Sequence, residues 1–139
     1  MRRHRRPLPE PAKLVTIDIV VEEAARPGAP RLRVLLLEDR DDFREILCQY
    51  LASRLCEVIS VRSGIEGLRE IMKARFDLII CDMMMPQMGG EMFYWAVTRI
   101  RPATAHRFIF FTGHRNNPAI EFFFRRVNAT VLIKPFTEM

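Results

Sequence analysis

Five polar residues of this 139-residue sequence stand directly behind short apolar runs. Glu38 and Asp39 follow "RVLLL", Asp82 closes "DLIICD", Thr112 follows "FIFF", and Lys134 follows "TVLI". A carboxylate at the end of a buried run is costly unless something pairs with it. If the runs are neighbouring strands, three acids, one hydroxyl and one amine converge on one edge of a sheet. Carboxylates held close together repel, and a hard divalent cation relieves the repulsion. Mg²⁺ takes few protein carboxylates and completes its shell with water and phosphate oxygens. A hydroxyl and an ammonium nearby can hold the other oxygens of a phosphoryl group. The central acid can itself be the acceptor, because carboxylates act as nucleophiles in aspartyl-phosphate chemistry. Catalysis in such a site is positioning and charge neutralisation.

The elements that must position these groups are legible from periodicity. "RVLLLE" is a buried strand, and "DDFREILCQYLASRL" places Phe43, Ile46, Leu47, Tyr50, Leu51 and Leu55 at helical spacing behind an acidic first turn. "EVISV" is a strand. The helix over "SGIEGLREIMKARF" opens at Ser63 as N-cap and repeats Ile65, Leu68, Ile71 and Met72 on one face. "DLIIC" is a strand, "GEMFYWAVTRI" a helix stopped by Pro102, "FIFF" a strand, "AIEFFFRRV" a short helix and "TVLI" the last strand. Trp95 and Phe122–Phe124 are expected in the core and on helix faces. Strands alternating with helices imply right-handed crossovers and a parallel sheet covered on both faces, and the unbroken apolar strands agree. The expected fold is a doubly wound, five-stranded α/β domain, whose ligands bind beyond the carboxyl ends of the strands.

Composition narrows the class. The sequence is 49% hydrophobic, enough for a core, yet its longest apolar runs fall far short of the roughly 18 residues of a membrane span. Cys48, Cys56 and Cys81 form no CxxC pair, which suits buried thiols in a reducing cytoplasm. His4, His106 and His114 lack any ligand spacing. The thioethers of Met83–Met85 suit soft metals, whereas the acids favour Mg²⁺. The net charge is +5, with seven basic and four acidic groups before residue 32. Residues 1–31 are expected to be a basic leader with a strand at "LVTIDIVV" (14–21) and a Pro/Gly linker, and residues 32–139 the folded domain.

Four segments together carry a family resemblance. "LLLEDRDDFREIL" is similar to an acid-pair segment, "DLIICDMMMPQMGG" to a phospho-acceptor segment, "FIFFTGH" to a strand ending in Thr or Ser, and "LIKPF" to a Lys-Pro-Phe segment. In this order, residues 32–136 resemble a response-regulator receiver domain. The resemblance implies the strand order 2-1-3-4-5. It implies that Asp82 accepts a phosphoryl group from a phosphohistidine on a sensor histidine kinase or a histidine phosphotransfer protein. It implies Mg²⁺ ligated by Asp39, Asp82 and the backbone carbonyl of Met84, with Glu38 acting through water. It also implies that Thr112 binds the phosphoryl group and that Lys134 pairs with Asp82, then with the phosphate. Pro135 after Lys134 is consistent with a cis peptide bond, and Gly90 fits the turn before the third helix.

The sequence departs from the family pattern twice. Val131 stands three residues before Lys134, where the family usually places Tyr or Phe, a feature shared with some receivers of hybrid histidine kinases. The chain also stops three residues past Phe136, so the final helix is expected to be missing and no DNA-binding output domain is expected to follow. A bare sheet face suggests a docked leader or a homodimer. The alternative function is a receiver-shaped scaffold that binds a partner without being phosphorylated. A phosphatase of the haloacid dehalogenase type is disfavoured, because Met84 replaces the second acid expected two residues after Asp82.

Overall fold

The structure, a computed structural model, describes residues 21–22, 31–113 and 117–133. Five strands, β1 (Arg33–Leu37), β2 (Glu57–Val61), β3 (Leu78–Asp82), β4 (Phe108–Thr112) and β5 (Thr130–Ile133), pair in the order β2-β1-β3-β4-β5. Every pairing is parallel, with Leu37 opposite Cys81, Asp82 opposite Phe111, and Thr112 opposite Ile133. The alternating helices are α1 (Asp41–Ser53), α2 (Gly64–Lys73), α3 (Gly90–Ile100) and α4 (Pro118–Val127). The expected α/β fold and strand order are therefore present.

The pleat sends alternate residues to opposite faces. Val34, Leu36, Leu78, Ile80, Ile109 and Phe111 join Phe43, Leu47 and Leu51 of α1 on one face. Leu35, Leu37, Ile79, Cys81, Phe108 and Phe110 join α2, α3 and α4 on the other. That second layer is aromatic: the Tyr94 ring lies 4.9 Å from Phe108 and 5.5 Å from Phe123, and Phe110 lies 5.4 Å from Phe123. Offset or edge contacts of this kind add about 0.5–1.5 kcal/mol each beyond area burial.

Helix boundaries follow local chemistry. Ser63 caps α2 by accepting from the Glu66 amide at 3.2 Å. Asn117 caps α4 by accepting from the Ala119 and Ile120 amides, with Pro118 behind it, and Asn128 ends that helix in the left-handed region at φ 52°. Three expectations need correction. Leu55 does not continue the α1 stripe: the helix ends at Ser53, and Leu55 turns left-handed at φ 62° with its side chain exposed. Met72 and Phe122 also face solvent, because they fall off the buried arcs set by Ile71 and Phe123. A short 3₁₀ helix, Pro102–Arg107, lies between α3 and β4. Of the strand expected over 14–21, only Val21 is among the described residues, and it is helical together with Glu22. Lys134, Pro135 and its cis bond, His114, the rest of the leader and the question of a final helix lie outside the described residues.

Candidate phosphoryl and metal site

Parallel register builds the site. β1 and β3 end side by side, so Glu38 and Asp39 emerge next to Asp82, and β4 brings Thr112 to the same edge. One carboxylate oxygen from each of Glu38, Asp39 and Asp82 lies within 4.8 Å of the others. Glu38 and Asp82 are 1% and 3% exposed, whereas Asp39 is exposed. Thr112 is buried at 1%. Of the residues expected from sequence, Glu38, Asp39 and Asp82 thus come together, with Thr112 at the end of the adjoining strand.

Backbone contacts hold these groups in place. The Glu38 amide donates to the Val61 carbonyl at 3.0 Å, which extends the β1–β2 ladder by one residue. The Arg40 amide donates to Glu38 Oε2 at 3.2 Å, and Arg44 Nη1 donates to the Glu38 carbonyl at 3.0 Å. Beyond Asp82, the Met83 amide donates to the Phe111 carbonyl at 3.1 Å, and the Met84 amide to Asp82 Oδ1 at 3.4 Å. The peptide of Met84 therefore borders the Asp82 carboxylate. The loop closes through Gly90 N–H to the Met83 carbonyl at 2.9 Å and Gly64 N–H to the Met88 carbonyl at 3.0 Å. A glycine is sterically required at each of these two contacts. A Cβ on Gly90 would meet the Asp82 carbonyl oxygen at 2.7 Å, and one on Gly64 would meet the Met88 carbonyl at 2.4 Å.

The local field is negative. The thiol of Cys81 is fully buried, and burial, followed by the charges of Asp82 and Glu38, pushes its pKa well above the ordinary thiol value. It therefore stays protonated and donates to the Asp82 carbonyl at 3.3 Å. The atoms that the cluster offers a metal are all carboxylate oxygens, the set that suits a hard cation such as Mg²⁺. Periodicity alone did not reveal the supports around the acids. Arg44 reaches back six residues to Glu38, and Asp41 is bridged by both Arg44 and Arg62, which hold its carboxyl below the usual range. Arg62 follows β2, so only the sheet register could have placed it beside α1.

Residues 34–139 match the response regulator receiver domain. The chain belongs to the response regulator receiver family. It is 37% identical over 103 residues to a response regulator receiver protein of Anaeromyxobacter sp. (strain Fw109-5), covering 74% of this chain and 42% of that protein. It is 34% identical over 108 residues to the transcription factor SKN7 of Chaetomium thermophilum, covering 76% of this chain and 14% of that protein. The chain thus spans less than half of these curated relatives. Among solved structures, the Vibrio cholerae chemotaxis protein CheY4 superposes with a TM-score of 0.67 at 31% identity, over 77% of this chain and 89% of that one. Receiver domains are signalling domains that bind Mg²⁺ at an acidic pocket, and this receiver has an acidic cluster at the expected sheet edge. Among its described residues no helix is long and apolar enough to cross a membrane.

Proposed function

We propose that this receiver domain takes a phosphoryl group on Asp82 from a phosphohistidine of a sensor histidine kinase or a histidine phosphotransfer protein. A carboxylate oxygen of Asp82 attacks phosphorus, the P–N bond breaks, and its electron pair leaves with the imidazole. Asp39, Asp82 and the carbonyl of Met84 would hold Mg²⁺, with Glu38 acting on it through water. The ion supplies neutralisation of charge on the transferring oxygens. The Thr112 hydroxyl and the Lys134 ammonium take the remaining phosphoryl oxygens. The gathering of three carboxylates within 4.8 Å at the end of β3 carries this reading. The same proposal makes the domain a non-enzymatic, cytoplasmic signalling module, in keeping with its free cysteines.

The test is incubation with Mg²⁺ and a small acyl phosphate, read by mass spectrometry for one added phosphoryl group. Wild type is labelled and Asp82→Asn is not; equal labelling of both refutes the assignment. Lys134→Ala should keep Mg²⁺ binding intact or tighter, since a positive charge near the site is removed, while impairing the phosphorylation response.

A second reading, a receiver-shaped interaction domain that works without phosphorylation, is favoured by Val131, which is aliphatic and pairs with Phe110 in the sheet. Calorimetry with Mg²⁺ separates the two: binding lost in Asp39→Asn supports the first reading, and no binding by wild type supports the second.

A further inference from the structure

The amino ends of β3 and β4 lie at the pole of the sheet opposite Asp82 and Thr112. A pocket of about 210 Å³ opens there, lined by Arg75, Arg101 and Arg107 together with buried Ile71, Phe76 and Thr104. Backbone bonds fix the segments that carry the arginines. Arg75 follows Ala74, whose amide closes α2 on the Glu70 carbonyl at 3.1 Å. The Arg101 amide donates to the Val97 carbonyl at 2.8 Å, and the Arg101 carbonyl accepts from the Thr104 amide at 3.0 Å and hydroxyl at 2.7 Å. Arg107 Nη1 donates to the Phe76 carbonyl at 3.1 Å, which uses one of the five N–H donors of that guanidinium. No acidic residue is among the lining residues, and among the described residues none of the three arginines is ion-paired. The neighbouring acids are engaged elsewhere: Asp77 Oδ2 accepts from the Arg33 amide at 2.9 Å, and Glu70 pairs with Lys73 at 3.4 Å.

Helix ends balance part of this charge. Helices α2 and α3 both finish beside the pocket, and each carboxyl end carries about −0.5 elementary charge. Two such ends offset about one of the three positive charges and leave about two unbalanced. We propose that this pocket binds a phosphoryl group, either free inorganic phosphate or the phosphate of a monoester. Such a group carries about −1.5 to −2 charges at pH 7 and offers several oxygens to guanidiniums that come from separate segments. A carboxylate brings one charge and one bidentate face, which a single arginine satisfies. The pocket is smaller than the roughly 300–1,000 Å³ of drug-sized sites, which suits a phosphoryl group with any attached body outside it. Five residues of β3 span about 16 Å, twice the roughly 8 Å Debye length at physiological salt. The site is therefore electrostatically separate from the acidic one, and the proposal does not rest on phosphorylation of Asp82.

The test titrates inorganic phosphate, AMP and acetate into the isotope-labelled full chain at constant ionic strength without Mg²⁺, read by amide chemical shifts. Inorganic phosphate should shift the Arg75, Arg101, Thr104 and Arg107 amides along one saturable curve. Arg75→Gln/Arg101→Gln should weaken binding about tenfold or more, whereas Asp82→Asn and the charge-matched control Arg125→Gln/Arg126→Gln should change it by less than about twofold. AMP binding tighter than inorganic phosphate assigns the pocket to a phosphate monoester; equal or weaker binding assigns it to the free ion. Three outcomes overturn the proposal: acetate binding as tightly as phosphate, shifts that do not saturate or that weaken equally in both arginine pairs, and loss of binding in Asp82→Asn. If the Arg75→Gln/Arg101→Gln protein fails to fold, Arg75→Gln alone, at an exposed position, replaces it, with about threefold weakening expected and no weakening refuting the site.

Discussion

Replacing Gly90 by Ala tests whether the turn after Asp82 is fixed by backbone contact. An added Cβ would lie 2.7 Å from the Asp82 carbonyl oxygen and 2.9 Å from Met83 Cα. Both are main-chain atoms, so no rotamer change relieves the clash. At Gly67, by contrast, the nearest atoms belong to the side chains of Leu37 and Phe93. Overpacking of this kind costs about 1–3 kcal/mol. Against it, exchanging Gly for Ala in a helix gains roughly 0.5–1 kcal/mol. Because both clashing atoms are main chain, the cost falls at the upper end, about 2–3 kcal/mol, leaving a net loss of about 1–2.5 kcal/mol, or about 4–12 °C in Tm for a domain of this size. The displaced peptide is the one that follows Asp82, so Asp82 phosphorylation in the proposed function should fall more than helix content does. Circular dichroism melts and acyl-phosphate labelling of the same samples read both effects. Gly113→Ala is the control: its Cβ would have nothing within 4 Å, so stability should hold or rise by about 0.4–1 kcal/mol. A Gly90→Ala protein as stable as Gly113→Ala would refute the steric argument.

Asn117→Ala removes the oxygen that accepts from the Ala119 and Ile120 amides and should cost about 1 kcal/mol in urea denaturation, with Asn117→Ser recovering most of it. Phe123→Ala opens a cavity among Tyr94, Trp95 and Phe110 and should cost about 3–5 kcal/mol, read from the same curves. Thiol labelling of the native protein should modify half-buried Cys48 first and leave fully buried Cys81 unmodified until denaturant is added; prompt labelling of Cys81 would mean that the β3 end opens.

Strong periodicity made most of the fold legible. Helices α1 to α4 lie where Phe43, Ile71, Phe93 and Phe123 repeat with their turns, and the acids stand where apolar strands run out. Misreadings arose where tertiary contacts override local preference. "LVTIDIVV" is β-branched, which favours a strand; Val21, its one described residue, is helical and buried against the α1 face of the sheet. Leu55 carries an apolar side chain at helical spacing, but the chain must reverse into β2 there, and the left-handed turn turns it outward. Asp39 and Asp82 were identifiable by type and position. Arg44 and Arg62 were not, because their contacts with Glu38 and Asp41 depend on how α1 lies across β1 and β2.

The carboxylates stand on separate segments, and β4 joins those segments. The Phe111 carbonyl accepts from Met83 N–H, which ties the loop after Asp82 to β4. The Phe111 ring meets Phe43 edge-on at 5.6 Å, which ties β4 to the first turn of α1, three residues beyond Arg40 and its bond to Glu38. On the opposite face Phe108 and Phe110 pack into the aromatic layer with α3 and α4. Thr112 therefore ends a strand whose side chains reach both layers and whose carbonyl holds the Asp82 loop. Phe111, the residue before Thr112, thus contacts both acid-bearing segments, the loop after Asp82 through its carbonyl and the start of α1 through its ring. Phe111 and Phe43 lie on the face where Val21 is buried.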